Sequence, residues 1–364
     1  MWDEKIEELE ARREKAYNGG GQARIDKQHE KGKLTARERL DVLFDEGTFV
    51  EINSLMESRC IDFGMPKKKI PGDGVVTGYG KVNGRVVFAS SQDFTVGGGA
   101  LGEYHARKIC NAMDMAMDAR APFVEINDSG GARIEEGIDS LNGYALMFRR
   151  HTQMSGVAPQ IAVIMGPCAG GACYAPALCD YIFMTQENGQ MYLTGPKVIK
   201  EVTGEVVTTS ELGGAEVHMN NSGVAHFVYP DDESCLEGVK RLLSYLPENF
   251  EEKAPYVEPV KKYYHKRLRD IVSPNPKVSY DMHEIIEELA DKDTFMEVQS
   301  GFAKNIIVGF MRMEGHTVGV VANQPEFMAG SLDYNAGDKG GRFIRFCDCF
   351  NIPILTLVDV PAFL

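Results

Sequence analysis

The feature that most constrains this chain is that it repeats itself in order. The segment Gly47-Thr48-Phe49-Val50-Glu51 returns 246 positions later as Asp293-Thr294-Phe295-Met296-Glu297, each time after an amphipathic helix pattern. With a shift of 231, Gly78 meets Gly309, Gly84 meets Gly315, Pro122 meets Pro353 and Asp128 meets Asp359. The shifts differ by 15 residues, an insertion in the first copy between Glu51 and Gly78, where Pro66 and Pro71 mark a loop. An ordered set of matches spanning helix, hairpin and strand reads as an internal duplication. Two related α/β domains are therefore expected, and 364 residues suffice for both.

Local patterns say what is duplicated. Val82 to Phe88 reads as a hairpin through Asn83-Gly84. A helix around Glu103 to Arg120 leads to the apolar strand Phe123 to Ile126, and a second helix leads to the apolar strand Ile161 to Met165. Such alternation predicts helices packed on a largely parallel sheet. Upstream, Thr35 and Glu38 have capping-box spacing ahead of the apolar stripe Leu40, Leu43, Phe44. The predicted division is a helical arm over 1–33, broken at Gly19-Gly20-Gly21, then an N-terminal half over 34–250. An irregular linker rich in proline, charge and tyrosine covers 251–276. A C-terminal half over 277–364 stops just after its first core strand.

Composition excludes several functions. A net charge of -14 argues against nucleic acid as a partner. No apolar run reaches the roughly 18 residues of a membrane span, and the charged, acidic start is unlike a leader, so a cytoplasmic protein is expected. The cysteines show no metal or disulfide spacing. Cys168, Cys173 and Cys179 sit among small or apolar neighbours and are expected to be packing residues, with no metal site. Lys67-Lys68-Lys69 reads as a solvated turn or, alternatively, as a local basic patch for an anion.

The chemistry concentrates in two glycine turns, each following an apolar strand: Asn127-Asp128-Ser129-Gly130-Gly131-Ala132-Arg133 and Gly166-Pro167-Cys168-Ala169-Gly170-Gly171-Ala172. Glycine pairs let peptide N–H groups approach a ligand, and a helix N-terminus adds unpaired donors with partial positive charge. Together they are the parts of an oxyanion hole, suited to the enolate of a thioester. Gly130, Gly131, Gly170 and Gly171 are the expected catalytic donors. Their neighbours Ala132, Arg133, Cys168, Ala169 and Ala172 are the expected substrate contacts. No base accompanies them, since His151 and His226 lack a serine or carboxylate at a recognisable spacing. Gly97 to Gly102 fits GxGxxG, with Glu125 about 20 residues on, which allows a dinucleotide-dependent dehydrogenase as an alternative. A non-catalytic scaffold is a third class, and the intact glycine turns argue against it.

The chain resembles the β-type carboxyltransferase subunits of propionyl-CoA and methylmalonyl-CoA enzymes. The resemblance rests on KLTARERLDVLFDEGTFVEI (Lys33 to Ile52), GDGVVTGYGKVNGR (Gly72 to Arg85), NDSGGARI (Asn127 to Ile134), GPCAGGACYAP (Gly166 to Pro176) and FIRFCDCFNIPILTLVDVPAFL (Phe343 to Leu364). It implies two tandem crotonase-like domains, the second truncated here. It also implies transfer of a carboxyl group between carboxybiotin and the α-carbon of an acyl-CoA. Gly170 and Gly171 would hold the enolate, a second glycine turn would hold the biotin ureido oxygen, and acyl-CoA would contact roughly Gly309 to Arg342. Sites would form at a dimer interface within a hexamer, a trimer of dimers. No Met-Lys-Met attachment site or GxxxxGK[ST] loop is present. Biotin would therefore come on a biotin carboxyl carrier protein, with a biotin carboxylase or a membrane decarboxylase subunit as the further partner. Ala362 stands where the family usually has glycine in VDVPGF, and an alanine N–H still donates where φ is negative.

Under the 231-residue shift, the counterparts of Gly170 and Gly171 fall beyond Leu364. The natural protein is expected to continue for roughly 120 to 160 residues. The 364-residue chain alone should lack carboxyl transfer and be poorly soluble, because its last strand would present an uncovered edge and face. Expression and assay of this chain decide the matter, and a monodisperse, fully active preparation refutes the expectation.

Overall fold

The computed structural model describes residues 2–69, 71–259, 267–275 and 277–364. Part of the expected linker, residues 260–266 and Pro276, lies outside the described residues. The chain forms two compact units, Met1–Val217 with Val228–Lys240, and His218–Phe227 with Arg241–Leu364.

In the first unit, strands β1 (Val50–Ile52), β2 (Val75–Val82) and β3 (Arg85–Gln92) form an antiparallel meander. The sheet continues in parallel through β4 (Phe123–Ser129), β5 (Gln160–Ala169) and β6 (Tyr181–Thr185). β7 (Gln190–Tyr192) pairs with the end of β5, and β8 (Phe227–Tyr229) closes the order β1-β2-β3-β4-β5-β6-β8. The sheet is thus largely parallel, as expected, with β1 and the hairpin adding an antiparallel leading edge. Helices Glu103–Ala119 and Ile138–Met154 are the crossovers into β4 and β5. Every residue of β4 is buried, as a strand covered on both faces requires.

In the second unit, β9 (Met296–Val298), β10 (Ile306–Met313) and β11 (His316–Asn323) repeat the antiparallel meander. Helix Tyr334–Cys349 then leads to β12 (Ile354–Leu357), which is parallel to β11. The order β12-β11-β10-β9 is that of β4-β3-β2-β1. The architecture is therefore two tandem domains of one α/β design, the second carrying the elements up to its fourth strand.

The duplication is written in hydrogen bonds as well as in strand order. Both residues of the Asn83-Gly84 turn have positive φ, as a two-residue hairpin demands, and Asp45 accepts both of their N–H groups at 3.1 and 2.8 Å. In the second unit Glu314-Gly315 makes the same turn, and Asp291 accepts from it at 3.1 and 2.8 Å. The capping box predicted at Thr35 and Glu38 opens helix Ala36–Leu43, which buries Leu40 and Leu43 completely or nearly so. In the second unit, Met282, Ile286, Ile307, Met311 and Val320 make one apolar core.

Two buried lysines, 231 residues apart, each tie a strand to the loop before it. The Lys108 ammonium donates to the carbonyls of Gly72 and Val75, and that of Lys339 to Gln299, Phe302 and Ile306 at 2.8 to 2.9 Å. Burial lowers both amines to about 8. Replacing Lys339 with methionine leaves three carbonyls without their donor and should destabilise the protein by about 3 kcal/mol. An unfolded lysine keeps its proton to about 10.5, so between pH 8 and 10.5 the unfolded chain binds more protons than the folded one. Wild type should gain stability relative to Lys339→Met as pH rises through that window. Urea unfolding of both proteins across it checks the sign.

Candidate active site

The end of β4 is set by a buried charge cluster. Asp128 Oδ2 accepts from Lys33 Nζ at 2.6 Å, Arg39 Nη1 at 3.0 Å and Gln28 Nε2 at 3.1 Å. Arg39 also donates to Asp232 at 2.7 Å and, through Nη2, to the carbonyl of Met165 on β5 at 3.1 Å. Two cations and two carboxylates cancel, which burial of all four requires. Burial pulls the Lys33 amine below the usual range, with Asp128 opposing. Burial also works against the Arg39 charge, but Asp128 and Asp232 outweigh it and hold the guanidinium above its ordinary value. Gly166 on β5 packs so closely on the Asp128 carboxylate that a Cβ there would overlap it.

The cluster aims the two glycine turns. The first is shorter than expected, since β4 runs through Ser129 and only Gly130 and Gly131 turn away. Gly131 has φ of 101° and lies where a Cβ would come within 2.8 Å of the Ala169 carbonyl, so the turns touch through backbone. The second is shorter still, because Gly166 to Ala169 remain strand and Gly170, with φ of 59°, alone makes the bend into helix Gly171–Ala177.

Hydrogen bonding distinguishes among the expected donors. The Gly130 N–H is engaged by the Gly98 carbonyl at 3.0 Å, that of Gly131 by Ser129 Oγ at 3.2 Å, and that of Gly170 by the Tyr192 carbonyl at 3.1 Å. The N–H groups of Gly171 and Ala172 have no acceptor among the described residues, as the first turn of a helix dictates. Among the expected substrate contacts, Cys168 is fully buried beneath the turn and burial pushes its thiol up, Ala169 is half-buried, and Ala172 is buried. Arg133 spends its guanidinium on Asp73 and Glu136, both at 2.7 Å, and on the Ala100 carbonyl at 3.0 Å. It braces a wall and offers no open charge.

A cavity of about 840 Å³ opens beside the first turn, lined by Gly97, Gly98, Gly130, Ala132, Arg133 and Pro167 on its floor. Lys15, Arg24, Lys67, Lys68 and Lys69 line it as well. Lys67 and Lys68 are exposed and Lys69 is half-buried, and with Lys15 and Arg24 they make a basic wall in an acidic chain. Gly170 and Gly171 are not among the lining residues. The sequence alone hid this wall, because its cations come from separate segments.

The dinucleotide alternative fails on geometry. Gly97 to Gly99 all have positive φ, and Gly99 packs against the Asp128 carbonyl with no room for a Cβ, so these glycines serve contact between two protein loops. In the second unit the equivalent turn is Met328-Ala329-Gly330, again with three positive φ values. Leu332 there donates to Ala362, as Leu101 does to Gly131. Ala362 is not among the residues with positive φ, which accommodates its Cβ. No disulfide joins any of the eight cysteines, and no helix among the described residues is long and apolar enough to cross a membrane.

Comparison with known proteins places this geometry in context. A carboxyl transferase domain family model matches residues 27–364. The chain is 54% identical over 364 residues to the propionyl-CoA carboxylase carboxyltransferase subunit of Haloferax mediterranei, covering 100% of this chain and 70% of that one. It is 54% identical over 362 residues to methylmalonyl-CoA decarboxylase subunit alpha of Propionigenium modestum, covering 99% and 70%. A solved structure of hexameric transcarboxylase 12S, with methylmalonyl-coenzyme A and methylmalonic acid bound, superposes with a TM-score of 0.96 at 50% identity, covering 99% and 70%.

Removing the charge of Asp128 leaves Lys33 and Arg39 sharing one carboxylate. Asp128→Asn should destabilise the protein by about 3–5 kcal/mol, read by urea unfolding. A loss below about 1 kcal/mol would show that the cluster does not hold the turns in place.

Proposed function

The chain belongs to the carboxyl transferase family, and from that premise we propose how its residues carry out transfer of a carboxyl group between carboxybiotin and the α-carbon of an acyl-CoA. Propionyl-CoA and methylmalonyl-CoA are the substrate pair, as the names of the relatives at 54% identity support. The observation that carries the reading is the pair of open N–H groups, Gly171 and Ala172, at a helix start directly after a buried strand.

Those two donors face the thioester oxygen. When the α-carbon loses its proton, charge moves onto that oxygen, and fixed peptide dipoles stabilise it without reorganising. Carboxybiotin, when bound, would supply the carboxyl group and a nitrogen base for the α-proton. The chain's own part is therefore to position and to hold charge. This agrees with the cavity, whose carboxylates are engaged: Asp73 by Arg133 at 2.7 Å, and Glu135 by Lys68 at 3.5 Å.

The basic wall of Lys15, Arg24 and Lys67 to Lys69 suits the phosphates of coenzyme A, whose adenosine end needs an anion-binding rim. In this reading acyl-CoA enters the first unit, which adds a contact surface to the Gly309 to Arg342 stretch implied by resemblance. Biotin arrives on a separate carrier protein. A biotin carboxylase subunit sets the direction toward carboxylation, or a membrane decarboxylase subunit sets it away. The assembly is a hexamer, as in transcarboxylase 12S.

A Cβ at position 171 would lie only 2.9 to 3.1 Å from ring atoms of Tyr144, so valine there would disturb packing as well as chemistry. Alanine and proline separate the two effects, since both add a Cβ but only proline removes the N–H, at a helix position that tolerates it. Transfer from methylmalonyl-CoA to free biotin should be on the order of 10²-fold slower in Gly171→Pro than in Gly171→Ala. Equal rates in two folded variants would remove Gly171 from the oxyanion hole.

A further inference from the structure

We propose that Glu125, His151 and Cys179 form a buried site for one divalent transition-metal ion of zinc-like preference, separate from the glycine turns. The residues come from three elements: β4, the last turn of helix Ile138–Met154, and the segment just before β6. All three are buried to at least 98%. One donor atom from each lies within 4.8 Å of the others.

Two details favour a shared ion over a simple ion pair. His151 Nε2 and Glu125 Oε2 are 3.2 Å apart, yet neither atom has a hydrogen-bond partner. Two buried polar atoms so close and not bonded to each other are placed as neighbouring ligands of a common centre are. The tautomer of His151 is also fixed. Gln160 Nε2 donates to the His151 carbonyl at 3.1 Å, which turns Gln160 Oε1 toward His151 Nδ1 at 2.8 Å. Nδ1 therefore carries the hydrogen and Nε2 keeps its lone pair. A carbonyl orienting the far ring nitrogen is the outer support that metal-binding histidines use. The Gln160 backbone is itself held by Asp180 at 2.8 Å.

Charge and ligand type point the same way. A thiolate, a carboxylate and a neutral imidazole carry two negative charges, which a divalent ion cancels in a volume that water does not reach. Nitrogen, oxygen and sulfur together suit zinc or cobalt and disfavour magnesium or calcium, which take oxygen ligands. Tetrahedral ligands stand about 3.3–3.8 Å apart, so the trio closes by up to about 1 Å on binding. The Cys179 sulfur, 3.8 Å from His151 Nδ1, is the group that moves. The ion would tie β4, β6 and the helix between them, three residues before Asp128. This departs from the expectation that Cys179 is a packing residue and that no metal site exists. Spacing could not reveal it, because the ligands lie 26 and 28 positions apart on different elements.

The test is metal analysis of the full chain, first as purified and then after unfolding and refolding with cobalt(II). About one ion per chain is expected, together with thiolate-to-cobalt charge-transfer absorption that Cys179→Ser abolishes while cobalt affinity falls 10-fold or more. Where Cys179→Ser does not fold, the wild-type spectrum decides alone, since only a thiolate ligand gives that band. Less than about a tenth of an ion per chain in both preparations, or bound cobalt without the band, overturns the site and leaves a buried Glu125–His151 pair.

Discussion

The buried pairing of Asp128 with Arg39 and Lys33 is the constraint on which the first unit depends. It joins the helix after the N-terminal arm, the end of β4, the middle of β5 through the Met165 carbonyl, and Asp232 far along the chain. A charge cluster of this kind contributes less through its net energy than through what it forbids, because any displacement strands a charge in a medium that cannot solvate it. The glycine turns begin directly beyond it, so their backbone inherits that fixed position.

Glycine then acts by absence of a Cβ and less by flexibility. At Gly166 it lets the Asp128 carboxylate pass, at Gly99 it lets the Asp128 carbonyl pass, and at Gly131 it lets the Ala169 carbonyl pass. The contacts at Gly99 and Gly131 bring backbone against backbone, and the one at Gly166 seats the carboxylate of the charge cluster against β5. Most turn amides are consumed in making this scaffold, and what survives is the helix start at Gly171 and Ala172 together with the Ala132 amide of the first turn. Chemistry needing oriented donors without a protein base is what such a scaffold leaves available.

The two units show how much of a design a duplication retains. Asp45 and Asp291 clamp equivalent hairpins, Lys108 and Lys339 clamp equivalent loops, and yet the Asn-Gly turn of one is Glu-Gly in the other. The polar clamps persist because each satisfies backbone groups that the fold buries in both copies. The turn residue is exposed to solvent and relaxes.

Periodicity, turn residues and repeat spacing determined the duplication, the hairpins, the capping box, and the order of strands and helices. All of these are local, each fixed by a few consecutive residues, so they can be read from a string. Resemblance of the motifs added the reaction. Tertiary structure alone decided which amides of Gly130, Gly131, Gly170 and Gly171 were already bonded, that Arg133 was spent on Asp73 and Glu136, that Lys67 to Lys69 met Lys15 and Arg24 at one cavity, and that Glu125, His151 and Cys179 converged. The reason is physical. Availability of a donor and convergence of charges depend mostly on partners that only the packing of strands and helices brings near, as Gly98 meets Gly130, Tyr192 meets Gly170 and Asp73 meets Arg133.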